Sequence, residues 1–309
     1  MGGADEDAVE VWRRKAARVR RLARKQPHAY RRVLPRTIRR LAGELWSVGR
    51  REEACALSEE VVAIRRAQTY LPYKQYRGNL AEVLSDLYGC LVDLGRDDAA
   101  LTVALECAEL RRPSTATPNI YEINHFAFAL KRAGDRLADH GRLEESVAVT
   151  RECVDAYKDY AENQPEFGAP LVIESLATLG ERLAALSRRD EAIAAADEAL
   201  AYTRAHAEHI DPERLAPRLA RHERLLTELS RVERALELSR ATVDSYRALV
   251  SEWRCYEPDL AAALGRLASH ITAVEGPAPA LPLARERMRL LWAQVEREPT
   301  NESATEALA

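Results

Sequence analysis

The residues best placed for chemistry in this chain are few, and each has a second reading. His206 and His209, in "HAEH", put two imidazoles on adjacent turns of one helix face, the spacing of a metal pair. A zinc site needs a third ligand, and none is suggested nearby, so the pair reads as solvated histidines beside a helix C-terminus. His222–Glu223 begins like a metalloprotease helix and lacks its second histidine. Cys107 and Cys153 have the look of a redox couple. They stand 46 residues apart, however, in equivalent slots of a repeat, which fits two buried small hydrophobes better. No P-loop, glycine-rich dinucleotide turn, zincin helix or nucleophile elbow occurs. The expectation is therefore a protein without catalytic residues, metal or cofactor.

Binding chemistry is better represented. Between Val11 and Gly43 there are 13 Arg or Lys and no acid, so a net charge of −3 leaves −16 for the rest of the chain. The stretch "WRRKAARVRRLARKQ" sets Trp12, Ala16, Val19 and Ala23 on one helix face and basic residues elsewhere. Residues 12–40 could thus lie on an anionic membrane or grip nucleic-acid phosphates. The competing reading is a terminal cap helix whose apolar face packs against its neighbour, and its alignment with the internal repeat favours that.

The elements that position these residues come from the repeat. Charged residues are 31% of the chain and aromatics 6%, a helical composition without the alternation of a sheet. A short-turn residue recurs at Gly49, Gly95, Gly141, Ser187, Ser230 and, more loosely, Glu275, at intervals of 46, 46, 46, 43 and 45. Four residues before each stand Leu45, Leu91, Leu137, Leu183, Leu226 and Ile271. Eleven before stand Ile38, Leu84, Leu130, Leu176, Leu219 and Leu264, and fifteen before, Leu34, Leu80, Phe126, Val172, Leu215 and Leu260. These offsets make one apolar stripe on a helix, here called helix A.

After the turn the pattern becomes small. Ala54, Ala100, Ser146, Ala192, Ala235 and Ala280 follow at five residues, then Ser58, Ala104, Thr150, Ala196, Ser239 and Ala284 at nine. A small-residue ridge lets another helix approach closely, which defines helix B. Pro27, Pro72, Pro118, Pro165, Pro212 and Pro258 mark the joints between each helix B and the next helix A. Hairpins of fixed period that cannot bury their faces alone stack into a solenoid.

This grammar of small turn, "EEA" and proline joint resembles the tetratricopeptide repeat (TPR). The segments "GRREEACALSEEVVAIRR" and "PHAYRRVLPRTIRRLAGEL" most resemble the long variant common in actinobacterial signalling and defence proteins, where it often follows an NTPase or regulatory domain. Here the period is about 46 against the family's shorter one, implying longer helices. The resemblance implies an all-α, right-handed α-solenoid of about six hairpins over residues 27–298. A lone cap helix B over 1–26 would precede it and a flexible tail, 299–309, would follow.

It also implies a concave surface lined by helix A that binds a protein or peptide. Carried onto this chain, that face presents Arg36, Arg39, Arg40 and Trp46, then Glu82, Asp86 and Asp93, then Lys131, Arg132 and Asp135. Glu174 and Glu181 follow, and finally Arg221 and Arg224. Charge alternates along it. The Asn and Lys pairing with which some members clamp a C-terminal carboxylate is not visible. The expected role is a bacterial scaffold or adaptor, with a ligand-responsive sensor domain as the alternative. The last helix, with no following helix A, would expose Met288, Leu291 and Trp292 for self-association. Five cysteines without paired spacing, no signal-peptide core and no apolar run of membrane-spanning length fit a cytoplasmic protein.

Overall fold

A computed structural model describes the backbone of residues 2–68, 74–113, 119–206 and 210–297, and every regular element there is helical. Helix B of the repeat appears as α1 (Gly2–Lys25), α4 (Arg51–Arg66), α6 (Asp97–Arg111), α8 (Leu143–Asn163), α10 (Arg189–His206), α12 (Val232–Glu252) and α14 (Leu281–Arg297). Helix A appears as α3 (Val33–Ser47), α5 (Lys74–Asp93), α7 (Ile120–Asp139), α9 (Pro165–Ala185), α11 (Pro212–Glu228) and α13 (Glu257–Glu275). One added turn, α2 (Pro27–Tyr30), leads into α3. Pro72, Pro118, His209 and the tail 299–309 lie outside the described residues. Pro165 and Pro212 sit in the first turn of their helices, where the missing N–H has no intrahelical partner to lose.

The turn residues do one thing in each hairpin. Gly49, Gly95, Gly141, Ser187 and Ser230 all have positive φ, between 59° and 79°. Each closes a helix A by a Schellman motif. The N–H of the following arginine donates to the leucine five residues back: Arg50 to Leu45, Arg96 to Leu91, Arg142 to Leu137 and Arg188 to Leu183 at 2.9 Å, and Arg231 to Leu226 at 2.8 Å. The sixth turn departs from expectation. Its left-handed residue is Gly276 (φ 89°), one position beyond Glu275. A short 3₁₀ turn, Ala278–Ala280, then leads into α14.

The apolar stripe is buried as its spacing predicts, apart from Leu34, which is half-buried beside buried Pro35. The small ridge is buried from Ala54 to Ala280 at its first position and from Ser58 to Ser239 at its second, with Ala284 exposed. No helix A follows α14 among the described residues, so nothing there presses on that face.

Residues 1–149 and 150–309 form two compact units. In the first, α1 buries Val9 and Ala16 against Leu41, Leu45 and Ala54, with Trp12 and Trp46 packed around them. In the second, Tyr246, Leu260, Leu264 and Leu267 anchor a cluster joining α11, α12 and α13. The approach of α9 to the end of α8 is closer than a side chain allows: a Cβ on Gly168 would lie 2.5 Å from the Cα of Ala161.

Candidate functional site

The basic N-terminal helix is partly engaged within the protein. Arg13 pairs with Glu53 at 2.7 Å and Arg20 with Glu60 at 2.5 Å, while Lys15 lies 4.2 Å over the Trp12 ring. Val9, Ala16 and Val19 are buried. Those buried residues are the face a membrane-surface helix would have to insert. Instead α1 packs Val9 and Ala16 against α3 and α4, and the membrane reading loses its apolar surface.

On the helix-A face of the first unit, sequence-predicted residues meet one another. Arg39 reaches from α3 to two acids of α5: 2.5 Å to Glu82 and, through Nε, 2.6 Å to Asp86. The alternation of charge expected to face a partner is here a bond between neighbouring helices. Arg40 pairs with Glu44 at 2.8 Å and leans toward Trp12. Trp46, expected on this face, is half-buried against the α1–α4 cluster because its position falls on the cap side of α3. Arg36 and Asp93 are exposed. Lys131 pairs with Asp135 at 3.3 Å.

One residue makes a different arrangement. The guanidinium carbon of Arg132 lies 4.2 Å from the ring centroid of Tyr88 and 4.8 Å from that of Phe128. The cation bridges the two rings, from α5 and α7, and Phe128 remains 48% exposed. Burial, the largest influence on it, pushes the Tyr88 hydroxyl pKa up. Tyr121 stands exposed on the same helix.

In the second unit the pairing recurs: Glu174 with Arg218 at 2.9 Å, and Glu181 with Arg221, whose Nε donates at 2.8 Å. Arg224 is exposed and has no acidic partner among the described residues.

Glu223, flagged beside His222 as a broken metalloprotease motif, is fully buried for another reason. Its carboxylate accepts from Ser239 Oγ at 2.6 Å and from Arg266 Nε at 3.2 Å to each oxygen. Ser239 Oγ also meets His270 Nδ1 at 2.7 Å, and His270 Nε2 meets Thr227 Oγ1 at 3.0 Å. These are the residue types of a serine-hydrolase triad in the wrong order. The serine lies between acid and imidazole, both its directions are used, and it is 1% exposed. With its hydrogen given to Glu223, Ser239 takes one from Nδ1. The Thr227 hydroxyl donates its own hydrogen to the Glu223 backbone carbonyl at 2.9 Å and lies beside Nε2. The network is a polar joint across α11, α12 and α13. Burial lowers the pKa of His270 and takes that of His222 down to about 4.

Cys107 and Cys153 are buried free thiols in their small-residue slots; Cys107 contacts Ser85 Oγ and the Ala81 carbonyl, both at 3.5 Å. No group of three or more metal-ligating side chains occurs among the described residues, and no helix there is long and apolar enough to cross a membrane. His206 packs its ring on Tyr202, 4.4 Å between centroids. At the C-terminal end, Met288 and Trp292 are exposed, 47% and 55%, as expected. Leu291, the middle residue of that trio, is buried instead.

The sequence reading missed a ladder between successive helices B. Arg13–Glu53, Arg20–Glu60, Arg66–Glu106, Arg151–Glu191 and Lys158–Glu198 are all ion pairs at a separation of 40 residues. The recurring offset, six short of the repeat period, was the available signal. Glu191 also chelates Arg188, and first Arg188, then Arg151, hold its carboxyl down at about 2.

No family model matches this sequence, and no curated protein matches it. Solved structures do. BtubC (BKLC) from P. vanneervenii is similar with a TM-score of 0.56 and 15% identity, covering 79% of this chain and 92% of that one. The TPR-like repeats of a putative kinesin light chain from Podosopora anserina give 0.50 and 14%, covering 74% and 99%. Aspartyl phosphate phosphatase F from Bacillus subtilis gives 0.52 and 13%, covering 89% of this chain and 64% of its own. At such identities the likeness is one of fold. The fold is a TPR-like helical solenoid.

Proposed function

We propose that the protein is a non-catalytic binding module that takes a peptide, or an extended segment of a partner protein, on its helix-A face. The observation that carries this reading is the Tyr88–Arg132–Phe128 stack. Aromatic and arginine side chains dominate binding hot spots, and here they are held in place before any partner arrives, so little side-chain entropy remains to be lost. The stack has no core to fill: Phe128 is exposed, and so is Tyr121 two turns earlier on the same helix. The charged residues of α3 and α5 support the surface by fixing helix to helix. The long repeat period, resembling the actinobacterial type, supports a bacterial signalling, regulatory or defence setting.

Selection from a displayed random-peptide library, followed by calorimetry, tests the proposal. Peptides so selected should bind Phe128→Ala and Arg132→Ala at least tenfold more weakly, about 1.4 kcal/mol, with helical circular dichroism unchanged. Equal binding by both variants would remove the stack from the site. Tight, salt-sensitive binding of a random duplex, lost only when Arg14, Arg18 and Arg21 are changed to Gln, would favour nucleic acid instead.

A further inference from the structure

In the second unit, α11, α13 and α14 enclose an open cavity of about 650 Å³. Three arginines line it, one from each helix: Arg224, Arg266 and Arg287. Many arginines of this unit pair with acids, Arg151, Arg218, Arg221, Arg240 and Arg247 among them. Of the three in the cavity, Arg266 donates its Nε to Glu223. Arg224 and Arg287 have no acidic partner among the described residues. The Nε of Arg287 is moreover enclosed by protein and meets no acceptor. An enclosed donor left unsatisfied is unfavourable. The Nε of Arg218 is enclosed without an acceptor too; what sets Arg287 apart is that it has no acid among the described residues and lines an open cavity.

Gly265 shows how Arg287 is set there. A Cβ at that position would lie 3.2 Å from Nε and 3.5 Å from Cζ of Arg287, so the bare backbone of α13 is what accommodates the guanidinium. Thr227 and His270 contribute polar edges to the same cavity. Glu228 is the one acid on its wall; Glu223, which holds Arg266, is fully buried and does not line it.

We infer that this cavity is a phosphate-binding site. Two guanidinia without acid partners match the charge of a phosphate dianion, and the planar fork of each matches its oxygens. The ligand is a phosphate monoester, such as a phosphorylated side chain of a peptide, or free phosphate. In the peptide-borne form the inference rests on the proposed peptide-binding function.

The test is ¹H–¹⁵N spectroscopy of the arginine Nε–H groups during titration with inorganic phosphate, with N-acetyl-phosphoserine amide, and with acetate at matched ionic strength. Saturable shifts of Arg224 and Arg287 with the phosphates and none with acetate are expected. Gly265→Ala and Arg287→Gln should each weaken phosphate binding about tenfold, while Arg240→Gln, which removes a paired arginine elsewhere, leaves it unchanged. Tighter binding of the phosphoserine amide identifies a peptide-borne phosphate, and tighter inorganic phosphate a free one. Absence of saturable shifts, equal response to acetate, or equal loss in Arg240→Gln overturns the inference. If it fails while selected peptides still depend on Phe128 and Arg132, the binding function stands without this site.

Discussion

The backbone N–H of Arg96 donates to the carbonyl of Leu91 at 2.9 Å, folding the chain back across a glycine at φ 65°. The same bond recurs four times, and in two of the repeats a serine occupies the left-handed position. A Cβ is unfavourable in that conformation by roughly 1–2 kcal/mol, partly offset by the extra freedom of an unfolded glycine. Ser187→Gly and Ser230→Gly should therefore each stabilise the protein by about 0.5–1 kcal/mol in denaturant titration. Gly95→Ala should destabilise it by a similar amount or more. A loss of stability in both serine variants would contradict the motif's role.

The small ridge makes a second expectation. Ala100 and Ala192 are fully buried where helices meet, so leucine at either position overpacks the contact and should destabilise by ~1–3 kcal/mol. Thermal melts that superpose on the parent would show the ridge to be misassigned.

Arg39 was a natural target for disrupting partner binding, yet it bonds Glu82 and Asp86. Arg39→Glu should weaken the α3–α5 contact and leave peptide affinity unchanged. The side chain is 43% exposed, so solvent screening holds each pairwise coupling to ~0.2–1 kcal/mol. A double-mutant cycle with Glu82→Gln measures it. Loss of peptide binding at full stability would return Arg39 to the binding surface.

Acid should loosen the second unit through His222. Burial holds its pKa at about 4 in the folded chain, against about 6.5 when unfolded. Below pH 6.5 the unfolded state binds the extra proton, so this contribution is complete above that pH. It is lost as pH falls toward 4, by ~2–3 kcal/mol in all. His270 shifts the same way, first through burial. His222→Leu should flatten the stability profile between pH 6.5 and 4 relative to the parent; parallel profiles would refute the assignment.

Thiol labelling separates the cysteines. Cys255 is exposed while Cys55, Cys107 and Cys153 are buried, and burial raises the pKa of Cys55 and Cys90. One fast-reacting thiol, Cys255, is expected under native conditions. Rapid labelling of Cys107 and Cys153 would mean the helix contacts around them open readily.

What the sequence determined by itself was everything that depends on period. Ile38, Leu84, Leu130, Leu176, Leu219 and Leu264 are buried because one face of a 3.6-residue helix must meet its neighbour, and that constraint is local and repeated. The five turns at Gly49 to Ser230 are local too, each set by a single residue able to adopt positive φ. Near Glu275 the anchor is degenerate and a glycine stands beside it, so the register shifted by one.

The polar surface was another matter. Spacing places Arg39, Glu82 and Asp86 on helix A but does not say whether they face solvent or each other; the approach of α3 to α5 decides that. Only the tertiary structure brings Arg132 between Tyr88 and Phe128, seats Glu223 under Ser239 and His270, and lays Arg287 across Gly265. Side chains of arginine and glutamate are long enough to reach several neighbours. Which one they reach depends on interhelical distance and rotation, which no single helix encodes.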